Sequence, residues 1–230
     1  MLPENAVNIK VRIKFSKTGS LKFISHLDLQ RTMQSSFLRS KLPIYYSEGF
    51  NPHPKVVFSP PLSVGVSSLT EFVDVKMLSD VAPEEILERL NASFPKGLCA
   101  LECYTPASKF MDIKWGLYEV KFELTGEIPA DVCEKAKAAL TANEIIIEKF
   151  TKKGEPKRVN IAEGMRFVSA ELCGGVLTVR AKLSCDDASF VNPKYIGETL
   201  AAYMPELFAG AEEETCRMAV YLADGEKLFK

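Results

Sequence analysis

The side chains best suited to chemistry fall into two blocks, Ser25-His26-Leu27-Asp28-Leu29-Gln30-Arg31 and Gly49-Phe50-Asn51-Pro52-His53-Pro54-Lys55. Together they hold both histidines of the chain, and imidazole is the side chain suited to proton transfer near neutral pH. The second block sets an aromatic, an amide, an imidazole and an ammonium within seven residues, a combination fit for base stacking and for phosphate or base-edge contact. Residues 1–60, which contain both blocks, carry nine Lys or Arg against three Asp or Glu, a local +6. The rest gives −3 over 61–109, zero over 110–160 and −4 over 161–230, so the whole chain sums to −1. Proton-transfer and anion-binding groups thus share the first quarter of the sequence.

Each block also has a purely structural reading. Ser25-x-x-Asp28 has the form of a helix N-cap, and Ile24 and Leu29 stand at the positions of a hydrophobic staple. A helix is predicted from about 26 to 41, with Leu29, Met33 and Phe37 as its apolar stripe, ending before Pro43. His26 falls at the N-terminal end of that stripe, where backbone donors and the helix dipole favour anions and a neutral imidazole. A neutral histidine beside an anion pocket and a hydrogen-bonded core histidine both fit. Asp28, at the third helical position, has a structural use of its own in the cap. Leu27 and Leu38 lie off the main stripe and are expected to be covered by a second domain or a partner. In residues 49–55 the prolines hold Asn51 and His53 extended and Gly49 permits a sharp entry. That segment reads either as a rigid binding loop or as a turn with Phe50 plugging the core.

The elements that must position these blocks follow from periodicity. Asn8–Phe15 alternates, with Ile9, Val11, Ile13 and Phe15 on one side and Lys10, Arg12 and Lys14 on the other, the pattern of a half-buried strand. Short extended pieces at 44–47 and 55–59, a strand at 71–78, a helix at 83–93 opened by Pro83 and a strand at 98–104 complete the order β-α-β-β-α-β. Residues 106–114 read as a linker. A second such set is expected, with strands at 116–124, 144–150, 165–172, 176–183 and 216–222 and helices at 129–141 and 193–203. Residues 173–175 make its hairpin turn, and 152–158 (KKGEPKR) an exposed basic loop. This predicts an α+β protein of two tandem ferredoxin-like (βαββαβ) domains with antiparallel sheets, over 1–108 and 115–230.

The segments KFISHLDLQR (22–31), LPIYYSEGFNPHPKVVFSPPLSVGV (42–66) and EFVDVKM (71–77) resemble the radical-SAM-linked protein family, an uncharacterised domain found beside or fused behind radical SAM enzymes. The resemblance covers most of the chain and is specific in its N-terminal half. Carried onto this sequence, it picks out His26, Asp28, Arg31, Ser47, Gly49, Phe50, Asn51, Pro52, Pro54, Pro61, Gly65, Glu71 and Asp74. It implies a functional partnership with a radical SAM enzyme. A likeness of architecture alone extends to the tandem ferredoxin-like proteins that process CRISPR transcripts.

Several function classes find no support. Cys99 and Cys103 have the first spacing of a radical SAM cluster loop, but Pro106 stands where its third cysteine belongs, and residues 99, 101 and 103 are expected on one strand face. No paired cysteine or histidine spacing suits structural zinc, and no phosphate-binding glycine loop or nucleophile elbow occurs. With 47% apolar residues, 26% charged ones and no long apolar run, the chain reads as globular and not membrane-spanning. The start lacks the features of a signal peptide, so a cytoplasmic location with reduced thiols is expected. The sequence therefore points to a substrate-recognition or accessory module for a radical SAM partner, without catalytic activity, metal or cofactor of its own. RNA or a nucleotide-like ligand would bind in a basic cleft of the first domain, at His26, Asp28, Arg31, Ser47, Phe50, Asn51, His53 and Lys55. Two alternatives stay open. One is a metal-independent endoribonuclease in which His26 or His53 is the general base and Lys55 or Arg31 stabilises the phosphorane. The other is a purely structural adaptor.

Overall fold

The alternating segment after residue 8 forms strand β1 (Ile9–Lys17), whose Val11, Ile13 and Phe15 are buried. The computed structural model describes residues 9–50, 52–150, 154–186 and 188–230, the side chain of Phe150 excepted. It is an α+β protein in which the strand pairs within each unit are antiparallel, with five α-helices among the described residues. The chain divides into one unit of Met1–Asp112 with Lys230 and another of Ile113–Phe229. No helix of the described residues is long and apolar enough to cross a membrane.

In the first unit β1 is followed by α1 (His26–Ser40), β2 (Val56–Phe58), β3 (Ser67–Met77), α2 (Pro83–Ser93) and β4 (Leu98–Tyr104). β1 and β2 both pair with residues 73–75 of β3 and so lie on its opposite sides, while β4 pairs with the other edge of β1. The strand order is therefore β4-β1-β3-β2. Ser25 caps α1, and Lys41 closes it in the left-handed region at φ 55°. α2 begins at Pro83, with Glu84 and Glu85 at its positive end. Leu29, Met33 and Phe37 of α1 and Ile86 and Leu90 of α2 form one core with Ile13, Phe15, Val73, Val75, Met77, Leu98 and Ala100. Leu27 and Leu38, expected to be covered, are 54% and 66% exposed.

The second unit runs β5 (Trp115–Glu123), α3 (Val132–Leu140), β6 (Ile146–Phe150), β7 (Pro156–Asn160), β8 (Met165–Cys173), β9 (Val176–Ser184), α4 (Lys194–Tyr203), α5 (Pro205–Phe208) and β10 (Glu212–Tyr221). Its sheet order is β10-β5-β9-β8, and β6 and β7 form a separate hairpin. β8 and β9 are joined through Gly174 and Gly175, both at positive φ, as a two-residue turn of matching twist requires. α3 starts at Val132, three residues later than the sequence predicts. The expected basic loop is shorter than 152–158, because Pro156, Lys157 and Arg158 pair in β7; Lys152 and Lys153 lie outside the described residues. Val120, Phe122, Leu177, Val179, Leu183, Ile196 and Leu200 are buried in this unit.

β1 departs from the half-buried pattern its alternation predicts. Arg12, on its polar side, has no exposed surface, and Asp74, directly opposite on β3, is 3% exposed. Arg12 Nε donates to Asp74 Oδ1 at 2.7 Å and one terminal nitrogen donates to Oδ2 at 3.0 Å, a bidentate pair. The remaining donors reach Ser108 Oγ at 3.1 Å, the Ser108 carbonyl at 2.9 Å and the main-chain oxygen of Lys230 at 3.3 Å. Phe110 lies against the guanidinium, 4.3 Å from ring centroid to Cζ. Segment 108–110 thus covers part of a sheet face that the sequence pattern left open to water. Removing one member of such a pair leaves the other charged and buried, so Asp74→Ala is expected to lower the unfolding free energy by about 3–5 kcal/mol. The double replacement Arg12→Met, Asp74→Leu is expected to lose less than either single change in urea denaturation. Single variants as stable as the parent would remove the pair from its structural role.

Candidate functional site

The first block forms the N-terminal turn of α1. Ser25, extended at φ −68° and ψ 162°, accepts from the Asp28 backbone N–H at 3.1 Å and donates its hydroxyl to Asp28 Oδ2 at 2.7 Å. Arg31 donates to Asp28 Oδ1 at 3.3 Å. The Ser25 hydroxyl, and after it the Arg31 charge, hold the Asp28 carboxyl below its ordinary 3.8. Asp28 and Arg31 are exposed and linked within the cap. His26 is half-buried: its Nε2 lies 2.9 Å from Gln30 Nε2, and its ring meets Phe58 of β2 edge-on at 5.6 Å. An amide NH2 only donates, so the Nε2 lone pair is occupied as an acceptor.

The second block is the tip of a closed loop. Tyr46 and Pro54 form a β-bridge, the Ser47 N–H donates to the His53 carbonyl at 2.9 Å, and the His53 N–H donates to Ser47 Oγ at 3.1 Å. Ser47 Oγ also lies 3.0 Å from His53 Nδ1. These bonds tie the two sides together below the tip, and Gly49, at φ 121°, takes a conformation other residues rarely adopt. Phe50 projects beyond the last backbone pairing and is fully exposed at 111%. The reading of Phe50 as a core plug is therefore overturned, because the Ser47–His53 closure places it outside the packed layer. Asn51 lies outside the described residues.

His26 and His53 do not meet: the contacts of His26 are with Gln30 and Phe58. Phe58 does link the two blocks, since it ends the strand that follows the loop. Lys55 is exposed and its Nζ lies 6.0 Å from the centroid of the Tyr45 ring, as does that of Lys76. Sequence reasoning missed Tyr45, Lys76 and Lys10. The signal that could have found them is the opposition of two lysine-bearing alternating strands. Three cavities lie in the second unit, one of about 750 Å³ between Thr125–Pro129 and Met204–Leu207, and none of the three is lined by either block.

The cysteines are all free thiols. Cys99 and Cys103 do not share a strand face, contrary to the alternation expected for 99, 101 and 103. β4 shifts register between its pairings with Lys14 and Phe15, so that Leu101 is the extra residue. Cys103 then packs against the core beside Ala100 while Cys99 is exposed. Burial, with the Glu84 charge, pushes the Cys103 thiol up to about 11.

Residues 10–193 match the family described as "Uncharacterized protein conserved in bacteria (DUF2344)", and the chain belongs to that family. No match is found among curated proteins. Among solved structures, a chain of the "Crystal Structure of a Cbf5-Nop10-Gar1 Complex" is similar over 94% of this chain and 50% of its own length, with 13% identity and a TM-score of 0.46. This chain thus spans about half the length of that one.

Two outcomes follow for the site's framework. Ser25→Ala is expected to cost about 1 kcal/mol through the lost cap. It should also raise the Asp28 titration midpoint toward its ordinary value in carboxyl NMR. Because the folded pKa is depressed, the stabilisation linked to Asp28 is present above 3.8 and is lost as pH falls through the lower folded value. An unchanged midpoint would contradict the hydrogen bond. In iodoacetamide labelling at pH 8, Cys99 and Cys173 should react well before Cys103, and equal rates by mass spectrometry would contradict its burial.

Proposed function

We propose that this protein is a non-catalytic binding module whose first unit presents the 47–55 loop to RNA or a nucleotide-like ligand, on behalf of a radical SAM partner enzyme. The observation that carries the reading is the fully exposed Phe50 at the tip of a loop closed by Ser47 and His53. An aromatic ring held out on a restrained loop offers a stacking surface at low ordering cost, and every base has a π-face to place on it. Lys55 beside the loop and the local +6 of residues 1–60 supply the electrostatic attraction such ligands need. The strand orders β4-β1-β3-β2 and β10-β5-β9-β8 support reading each unit as a ferredoxin-like βαββαβ module, the second with the β6–β7 hairpin inserted. The partnership rests on the resemblance to radical-SAM-linked proteins. The nuclease reading is not favoured, since His26 is engaged by Gln30 and Phe58 and does not contact His53.

Fluorescence anisotropy with a single-stranded oligoribonucleotide tests the reading. Phe50→Ala should weaken binding by about 5- to 100-fold, the range for losing one base–aromatic stack. Lys55→Ala should weaken it and reduce the slope of log affinity against log salt by about 1. No oligoribonucleotide binding by the full chain, alone or with the partner, or affinity unchanged by both substitutions, would overturn it.

A further inference from the structure

The helix-free face of the first unit's sheet carries a row of lysines of which Lys10 alone has a carboxylate partner among the described residues. Lys10 on β1 and Lys76 on β3 are direct antiparallel partners, two residues along from Arg12 and Asp74, so all four side chains stand on one face. Like charges directly opposite one another in an antiparallel pair are destabilising. The row then continues past β3: the Tyr45 N–H donates to the Lys76 carbonyl at 2.9 Å, and the Lys55 N–H donates to the Tyr45 carbonyl at 3.2 Å. Tyr45 therefore stands between two lysines, and both ammonium groups lie 6.0 Å from its ring centroid. The ring's negative face draws both cations toward one place.

Negative charge is lacking in the same neighbourhood. Asp74 gives both oxygens to Arg12, and its Oδ2 also takes Lys10 Nζ at 2.9 Å. Among the described residues no carboxylate pairs with Lys55 or Lys76, and the Tyr45 hydroxyl makes no hydrogen bond. Lys10 thus shares Asp74 with Arg12, and Lys55 and Lys76 add two positive charges with no carboxylate partner among the described residues. By contrast Lys14, one step along the same strand face, is neutralised by Glu102 at 2.6 Å. The strand pairing keeps these lysines together although, among the described residues, Lys10 alone of the three has a carboxylate partner.

We infer that Lys55, Lys76 and Tyr45, with Lys10 as a third cation, form a phosphate-binding site on this face. Lysines act there as point charges on flexible stems able to converge on phosphate oxygens, and the Tyr45 hydroxyl supplies a further donor. The site deepens the proposed function and rests on it for the ligand's identity: a nucleotide phosphate would sit on the lysine row while its base reaches the stacking surface at Phe50.

Two probes, applied to the full chain, separate this site from the reading it deepens. Isothermal titration with inorganic pyrophosphate at low salt should show binding that Lys55→Ala and Lys76→Ala each weaken by about fivefold, the size of one exposed charge contact. Lys76→Arg should retain it, and Lys14→Ala should leave it unchanged. Absence of pyrophosphate binding, or binding by both lysine-to-alanine variants as tight as the parent's, would overturn the phosphate site. Should an oligoribonucleotide still bind in that case and respond to Phe50→Ala, the RNA reading would survive alone. Pyrophosphate binding lost in the lysine variants, with no oligoribonucleotide bound, would sustain the site and sink the RNA reading.

Discussion

The buried pair of Arg12 and Asp74 is the constraint on which the first unit depends. A strand slipped by one residue would carry Arg12 off Asp74 and into the apolar core, leaving two unpaired charges in low dielectric. The pair therefore fixes the register of β1 on β3 far more firmly than apolar contacts alone. Everything on the helix-free face follows from that register. Lys10 comes opposite Lys76, β3 offers residues 73–75 to β2, and residues 44–46 meet the far end of β3 through Ile44 and Met77. The same framework sets the 47–55 loop, because its two sides are the continuation of residues 44–46 and of the chain entering β2.

This explains how much was legible in the sequence. α2 and β4 were readable to the residue, because Pro83, Glu84 and Glu85 mark a helix start and Leu98–Tyr104 is bounded by turn residues. The cap at Ser25 was equally plain, since its partners are three residues apart. What was not legible depends on contacts distant in sequence. Alternation put Arg12 on the polar side of β1, and nothing local says that Ser108 and Phe110, 96 and 98 positions later, fold over it. The register shift in β4 was likewise silent, and it moved Cys99 and Cys103 to different surroundings.

The candidate site divides along the same line. Asp28 and Arg31 drew attention by residue type, and the structure binds them to one another and to Ser25 in the helix cap. His53 and Ser47 drew attention too, and they close the loop. Phe50 was undecided from sequence, since an aromatic between glycine and asparagine suits a plug or a platform equally. Its full exposure excludes the plug. The lysine row was invisible until the pairing of β1 with β3 was known, because Lys10, Lys55 and Lys76 are scattered through 67 residues of sequence.

The central claim is that one continuous surface of the first unit, from the tip of the 47–55 loop to the lysine row, recognises a phosphorylated ligand with a stackable base. Backbone-amide NMR mapping with a single-stranded oligoribonucleotide added to the isotopically labelled full chain tests it most directly. The account predicts that the perturbed amides gather at residues 45–57 and around Lys10 and Lys76, fading as salt is raised. Perturbations confined to the second unit, or none at any stoichiometry, would contradict it.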